Sequence, residues 1–386
     1  MSPLNIAEVI ATFPPLHGGM GYVCYHNALQ LSRQGHKVSV FTLDHGKEID
    51  IPDPEEFQVH RIKPLMLHGD GGPVPQLATR LKKFDIVHLH YPFFGGAEYV
   101  YLASLLSKVP YFLTYHMDVV GNTPLKRAVL SVYNPLLAGR ILRRANLVGA
   151  VTRQHLESSQ AAPFVTPSRL VEIPNGVDTN TFHPGEKSQR LVEKHGLSGK
   201  TVVLFVGNLQ PFKGIQVLID AMAGIEDPDV VAIIVGGGYA EEQYRNEVSE
   251  RRLEDKILFA GPQTPSGELP DYYRTADFLV LPSTHSESFG LVVLEAFASG
   301  KPAIVSALPG PAAIVDKGED GLIAEVGDAD SLREQILILH RDSALRKRMG
   351  ISALKKAREK YTWEAVARTL EEAFHRIKSS NRVISA

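Results

Sequence analysis

Glu287 and Glu295 stand eight positions apart around the apolar run Phe289-Gly290-Leu291-Val292-Val293-Leu294. The stretch Pro282-Ser283-Thr284-His285-Ser286 just before them is rich in turn formers. Phe278 to Leu281 reads as a buried strand, and Leu291 to Ser299 as a helix stopped by Gly300 and Pro302. Glu287 then lies in the loop and Glu295 about one turn inside the helix. The open backbone N–H groups near Phe289, Gly290 and Leu291 form an anion site at the helix start. Two acceptors flanking a phosphate cradle suit a ligand with hydroxyls on both sides of a phosphate, such as a nucleotide-sugar.

Other strand ends carry complementary chemistry. Val202–Val206 runs into Gly207-Asn208-Leu209-Gln210-Pro211-Phe212-Lys213-Gly214, placing a lysine where it can neutralise a diphosphate and a departing charge. The first strand ends in Pro14-Pro15-Leu16-His17-Gly18-Gly19-Met20-Gly21, whose glycines let backbone approach a ligand before a helix start. Gly236-Gly237-Gly238 is a similar turn, and neither run matches the spaced dinucleotide fingerprint. Tyr111–Tyr115 ends at His116 and Asp118, which could hydrogen-bond and position sugar or acceptor hydroxyls. His88 and His90, on the preceding strand, read as histidines that merely satisfy local structure. Asp328-Ala329-Asp330 has metal-ligand spacing but reads better as a helix cap before Ser331.

These residues need elements to hold them. The chain has 386 residues, 44% of them hydrophobic, and a net charge of -2. That supports a large core in two domains and shows no global bias toward nucleic acid. No signal-peptide pattern or bilayer-length apolar run is visible, and a cytoplasmic protein is expected. The single cysteine, Cys24, excludes an internal disulfide and reads as a small core residue. Short apolar strands alternate with helical stretches: Ile6–Phe13, Val38–Leu43, Ile86–His90, Tyr111–Tyr115, Leu147–Thr152 and Leu170–Ile173. After the turn-rich Pro174-Asn175-Gly176-Val177-Asp178, a second series follows: Val202–Val206, Val230–Val235, Ile257–Phe259, Phe278–Leu281 and Ala303–Val305. The pattern predicts two doubly wound α/β domains, residues 1–180 and 181–364, with ligands at strand carboxyl ends in a cleft between them. From Val119 through Leu156 there is no Asp or Glu, while Lys126, Arg127, Arg140, Arg143, Arg144 and Arg153 interleave with apolar residues. This could be a surface for anionic lipid or a phosphorylated acceptor, or an ordinary solvated helix face.

Together these segments resemble the retaining glycosyltransferases of family four, in the family's order along nearly the whole chain. They are the Gly18-Gly19 loop, Tyr115-His116, Pro174 to Asp178, Lys213-Gly214 and Glu287 to Glu295. Tyr272 to Asp277 and Tyr361-Thr362-Trp363 also look like family segments. The resemblance implies the GT-B fold, two Rossmann-like domains facing a central cleft, with the last helix (about 365–386) rejoining the first domain. It implies transfer of a sugar from a nucleoside diphosphate donor to a saccharide, lipid-linked or small-molecule acceptor, with anomeric configuration retained and no obligatory metal. Glu295 would bind the ribose and Glu287 the transferred sugar, with Phe289, Gly290 and Leu291 donating backbone N–H groups. Lys213 would hold the diphosphate, Gly18 and Gly19 would approach the donor, and His116 would face the sugar. Gly261 and Pro262 would border the base. Asn208 stands where many relatives carry a second diphosphate-binding cation, and Pro309 to Ala313 where many carry a glutamate. Asp118 and the basic residues would serve the acceptor or an anionic membrane face, making the protein peripheral at the inner membrane surface. The alternatives are a nucleotide-sugar epimerase and a noncatalytic nucleotide-sugar-binding module.

Overall fold

The computed structural model describes every residue except 1, 17, 47–51, 120–122, 286 and 385–386, and the backbone alone at 125 and 381–384. His17 of the first glycine loop, Ser286, and part of the acid-free stretch therefore lie outside the described residues. The chain separates into two compact units, Met1–Asn175 with Trp363–Ala386, and Gly176–Thr362.

Among the described residues, the first unit holds seven strands: β1 (Asn5–Val9), β2 (Lys37–Leu43), β3 (Gln58–Ile62), β4 (Ile86–Tyr91), β5 (Tyr111–Tyr115), β6 (Leu147–Ala150) and β7 (Leu170–Glu172). Their order is β3-β2-β1-β4-β5-β6-β7, every described pairing parallel. Parallel strands covered on both faces need near-continuous apolar runs, which explains why most were legible. β3 was not: Gln-Val-His-Arg-Ile is a half-exposed edge strand with little hydrophobic signal. The helix Gly19–Arg33 covers one face, and the helix Trp363–Ile384 packs beside it. Val366, Leu370, Ala373, Phe374 and Ile377 recur at helical spacing and are buried in that core. His26 stacks on Trp363 at 4.5 Å.

Among its described residues, the second unit holds six strands: β8 (Thr201–Val206), β9 (Val230–Val235), β10 (Ile257–Gly261), β11 (Phe278–Leu281), β12 (Ala303–Ser306) and β13 (Gly321–Ala324). Their order is β10-β9-β8-β11-β12-β13, again parallel. β13, four residues at the sheet edge, escaped the sequence reading. Strand order reverses between β1 and β4 in one sheet and between β8 and β11 in the other. Such switch points open a crevice at strand carboxyl ends. The loops carrying Lys213 and Glu287 follow β8 and β11, one on each side of the second switch point.

Among the described residues, no helix is long and apolar enough to cross a membrane.

Candidate functional site

In the second unit, the chain leaves β8 through Gly207 and Asn208 and makes a short 3-10 turn, Pro211–Lys213. Gly214 follows with φ +73° and would put a Cβ 1.8 Å from the Pro282 carbonyl oxygen, so only glycine fits. That close approach docks the lysine loop on the loop after β11. Lys213 Nζ lies 2.6 Å from Glu287 Oε2, and the buried Ser283 hydroxyl lies 3.3 Å from the same oxygen. Residues 74 apart in sequence thus form one polar cluster with partial solvent access.

Gly290 has φ +99° and starts the helix Leu291–Ala298. The first N–H groups of that helix lack intrahelical acceptors and point away from its body. A Cβ on Gly310 would fall 2.3 Å from the Ser288 carbonyl oxygen. The Pro309–Ala312 turn therefore buttresses the Glu287 loop from behind, and Gly310 is there for contact. Phe289 is buried and meets Tyr361 edge-on at 6.2 Å. Glu295 sits one turn into the helix, where its Oε2 accepts from the buried Tyr273 hydroxyl at 2.5 Å. Burial pushes the Glu295 carboxyl up to about 7, the Tyr273 hydroxyl pulling the other way.

Asn208 is exposed at the end of β8. The Gly236 to Gly238 turn packs against it: a Cβ on Gly236 would meet Gly207 O at 1.9 Å, and one on Gly238 would meet Asn208 Oδ1 at 2.4 Å. This triplet, ambiguous in the sequence, is a packing requirement. Gly261 has φ +74° and its carbonyl accepts from Gly236 N at 2.9 Å. Asp328 caps the helix Ala329–Arg341 by accepting from the N–H groups of Asp330 and Ser331 at 2.9 Å, which gives the Asp-x-Asp spacing a structural role.

In the first unit, Gly18 and Gly19 are exposed at the start of the helix Gly19–Arg33. Neither lies in the left-handed region, Gly18 being extended at φ 170°, and no atom lies within 3.4 Å of a Cβ built on either. The fold does not require glycine there. They border a cavity of about 710 Å³ at the carboxyl ends of β1 and β2. Thr12, Asp44, His45, Arg61, Asp70 and Met117 also line it, none singled out from sequence. Arg61 is already held by both Asp53 carboxylate oxygens, at 2.6 and 2.8 Å, and by Pro14 O at 3.0 Å.

His116 is buried, 5% exposed, just past β5. Its Nε2 lies 2.9 Å from His90 Nδ1, and His90 Nε2 lies 2.8 Å from Glu8 Oε2. The reading of His88 and His90 as merely local is corrected: His90 connects His116 to a wholly buried carboxylate. His88 Nδ1 is 2.8 Å from the same Glu8 oxygen, off the line of a directed bond, while its Nε2 meets Thr114 Oγ1 at 2.7 Å. Register explains the assembly, because Glu8 faces His88 across β1–β4 and His90 faces Thr114 across β4–β5. Residues two apart share a sheet face, so Glu8, His88, His90, Thr114 and His116 fall on one side. The signal was available as His-x-His inside a strand otherwise apolar. Glu8, Cys24 and His90 lie close enough to hold a metal ion. Both His90 nitrogens are committed to hydrogen bonds, which account for the cluster without one.

Asp118 does not stand free to position an acceptor. Its Oδ1 accepts from the Tyr115 hydroxyl and from Gln160 N, tying the loop after β5 to the rest of the unit. In the acid-free stretch, the helix Pro124–Tyr133, a π-helical turn and the helix Gly139–Arg144 run on from one another. Lys126, Arg127, Arg140 and Arg143 are exposed beside Val129 (57%), Val132 (58%) and Leu136 (54%). Ile141 and Leu142 instead enter the core. Arg144 is tied to Ser104 O at 2.9 Å, and the Arg143 guanidinium sits 4.7 Å above the Phe164 ring, so these two have structural duties.

Residues 17–181 match the family described as Glycosyltransferase Family 4, and residues 187–356 match Glycosyl transferases group 1. The chain is 30% identical to a D-inositol 3-phosphate glycosyltransferase of Corynebacterium glutamicum (strain R), covering 93% of this chain and 91% of that protein. It is also 30% identical to a phosphatidyl-myo-inositol mannosyltransferase of Mycobacterium leprae (strain TN), over 77% of this chain and 75% of that one. The crystal structure of Anabaena HepE in complex with UDP superposes with a TM-score of 0.76 at 20% identity, covering 96% and 99% of the two chains. The epimerase and noncatalytic readings are not favoured, since these relatives are transferases. The fold is GT-B, and the chain belongs to glycosyltransferase family 4, the retaining sugar transferases.

Proposed function

We propose that the second unit binds a nucleoside diphosphate hexose along the carboxyl ends of β8 and β11. The observation that carries this reading is the Lys213–Glu287 pair, 2.6 Å apart, beside the open helix start at Gly290. Lys213 is assigned the diphosphate, the N–H groups near Phe289, Gly290 and Leu291 its oxygens, and Glu287 the hydroxyls of the transferred sugar. Glu295 takes the ribose hydroxyls, which supply the donors that its carboxyl lacks in the free protein. Asn208, Gly261 and Pro262 are assigned to border the nucleotide, and Gly18 and Gly19 are assigned backbone contacts to the donor.

The acceptor is assigned to the cavity lined by Thr12, Asp44, His45, Arg61, Asp70 and Met117. Its mixture of donors and acceptors suits a polyol, and the relatives named for inositol acceptors support a cyclitol or its phosphate. The acceptor hydroxyl oxygen bonds to the anomeric carbon on the face from which the diphosphate departs. The carbon–oxygen bond to the diphosphate breaks with its electrons going to that oxygen. The hydroxyl proton passes to a phosphate oxygen, and Lys213 offsets the charge on the leaving group. Glu287, His116 and the backbone hold the sugar in place for this front-face displacement.

The exposed Val129, Val132 and Leu136 beside Lys126, Arg127 and Arg140 favour a second role, docking on an anionic lipid surface where a lipid-linked acceptor would lie.

The test is a thermal-shift screen of UDP- and GDP-hexoses, followed by transfer assays with D-inositol 3-phosphate, phosphatidylinositol and simple sugars. Retained anomeric configuration is expected. A covalent glycosyl-protein adduct formed from donor alone, seen by intact mass, would overturn the front-face step.

A further inference from the structure

The buried polar chain in the first unit begins at the Glu8 carboxyl, one oxygen of which lies 2.8 Å from both His88 and His90. Burial alone would raise the Glu8 carboxyl, but His88 and His90 outweigh it and hold it at about 2. An ionised carboxylate only accepts hydrogen bonds, so His90 must donate from Nε2 across the 2.8 Å contact. Burial and the neighbouring His88 pull His90 down to about 4, against the opposite effect of Glu8. A neutral imidazole carries one proton, which leaves His90 Nδ1 as a bare lone pair. That lone pair faces His116 Nε2 at 2.9 Å, so His116 supplies the proton. Burial, then His90, His88 and His155, holds His116 well below its ordinary range, so it too is neutral. Only one tautomer of His116 satisfies every link.

We propose that Glu8 and His90 are positioning residues that fix His116 with its proton on Nε2, so that Nδ1 offers only a lone pair and selects a sugar hydroxyl as donor. The assignment of that hydroxyl to the transferred sugar rests on the donor reading above; the tautomer does not. Other contacts agree with a rigid chain. The His90 and His116 rings stack with a 13° interplanar angle, and the His116 backbone N–H donates to Tyr91 O at 2.9 Å. The Cys24 thiol, raised by burial and by Glu8, covers the carboxylate from the helix Gly19–Arg33 as a neutral group. A histidine on the sheet rim with free choice of tautomer would present a donor part of the time; this one is set from below through two hydrogen bonds. The chemistry is that of a carboxylate orienting an imidazole through its far nitrogen, with one further histidine inserted.

The experiment is nitrogen NMR of the intact chain labelled on its histidine rings, with His116 assigned by comparison with His116→Ala. In the unsubstituted protein, His116 is expected as the Nε2–H tautomer from about pH 6 to 8; a proton on Nδ1 would overturn the proposal without any variant. Glu8→Gln, which can donate as well as accept, is expected to make the tautomers mix. It should lower kcat for UDP-hexose turnover roughly ten- to a hundred-fold, leave UDP affinity within about two-fold, and move the pH profile. Glu8→Asp should recover part of the loss. A folded Glu8→Gln protein with unchanged tautomer and kcat would refute the relay. If His116→Ala keeps full turnover, the sugar-contact reading fails while the tautomer result still judges the relay.

Discussion

Glu8 and Glu295 are both carboxyl groups removed from bulk water, and their surroundings drive them in opposite directions. Glu8 lies at the centre of a finished network, where two histidines within 2.8 Å hold it ionised at about 2. Glu295 has one hydroxyl partner, Tyr273, and burial lifts it to about 7. A buried carboxylate with its donors in place orients what it touches. One short of donors is completed by a ligand that brings them. On the proposed donor site, the difference separates a group that prepares the protein from a group that meets the substrate.

The glycines repeat this contrast. Gly214 and Gly290 are demanded by left-handed backbone and contact, while Gly18 and Gly19 answer no requirement of the fold. Gly214→Ala should collapse the second unit or strip it of nucleotide-donor binding, because its Cβ would fall 1.8 Å from a carbonyl oxygen. Gly19→Ala should leave thermal unfolding unchanged while cutting transfer. Equal stability loss in the two variants would erase the distinction.

Lys213→Ala is the next largest effect, a loss of about 10²- to 10³-fold in turnover with little change in thermal unfolding. Full activity in that variant would remove the lysine from the site.

Titration separates the two carboxyls more finely. If Glu295 takes the ribose hydroxyls as proposed, they favour its ionised form, so its pKa falls when donor binds. Affinity for the nucleotide donor found in the thermal-shift screen should therefore be flat above pH 7 and weaken as pH falls below about 7. Isothermal titration in buffers of different ionisation enthalpy should show proton release at pH 6, and Glu295→Gln should abolish it. Stability gives opposite signs in the two units. Glu295 is raised above its unfolded value of 4.5, so its favourable contribution is present below pH 4.5 and lost as pH rises toward 7. His90 is lowered from 6.5 to about 4, so its contribution is present above 6.5 and lost as pH falls. Glu8 adds a further loss as pH falls from 4.5 toward 2. Hydrogen exchange at pH 5 and pH 7 should show the first unit weakened by acid, and identical behaviour of both units would break the comparison.

The smallest effect is expected at the face proposed to meet lipid. Val132→Asp, at a side chain 58% exposed, should lower sedimentation with anionic vesicles several-fold and leave nucleotide-donor binding intact. Replacing Lys126 and Arg127 by Gln should cost about 1 kcal/mol of vesicle binding per charge.

Much of this was legible in the sequence because parallel strands buried on both faces must be apolar, and turns must carry glycine or proline. The five residues of Tyr111–Tyr115 and the six of Val230–Val235 were read with their observed bounds for that reason. β3 and β13 were not, because an edge strand buries too little surface to need the pattern. Glu287, Glu295 and Lys213 could be singled out because each follows a readable strand. Asp118 could not be judged that way, since its duty to Tyr115 and Gln160 depends on where the chain comes back to it.

What the sequence by itself determined was the order of the elements, the residue types at their carboxyl ends, and the family those residues belong to. The fold alone decided which polar side chains share one space. It brought Lys213 to Glu287 across 74 residues and Glu8 to His90 across 82. The physical reason is that alternation along a strand names a face without naming its neighbours. Only strand order and register put Glu8, His90 and His116 in line, and only burial made one carboxyl an anchor and the other an open acceptor.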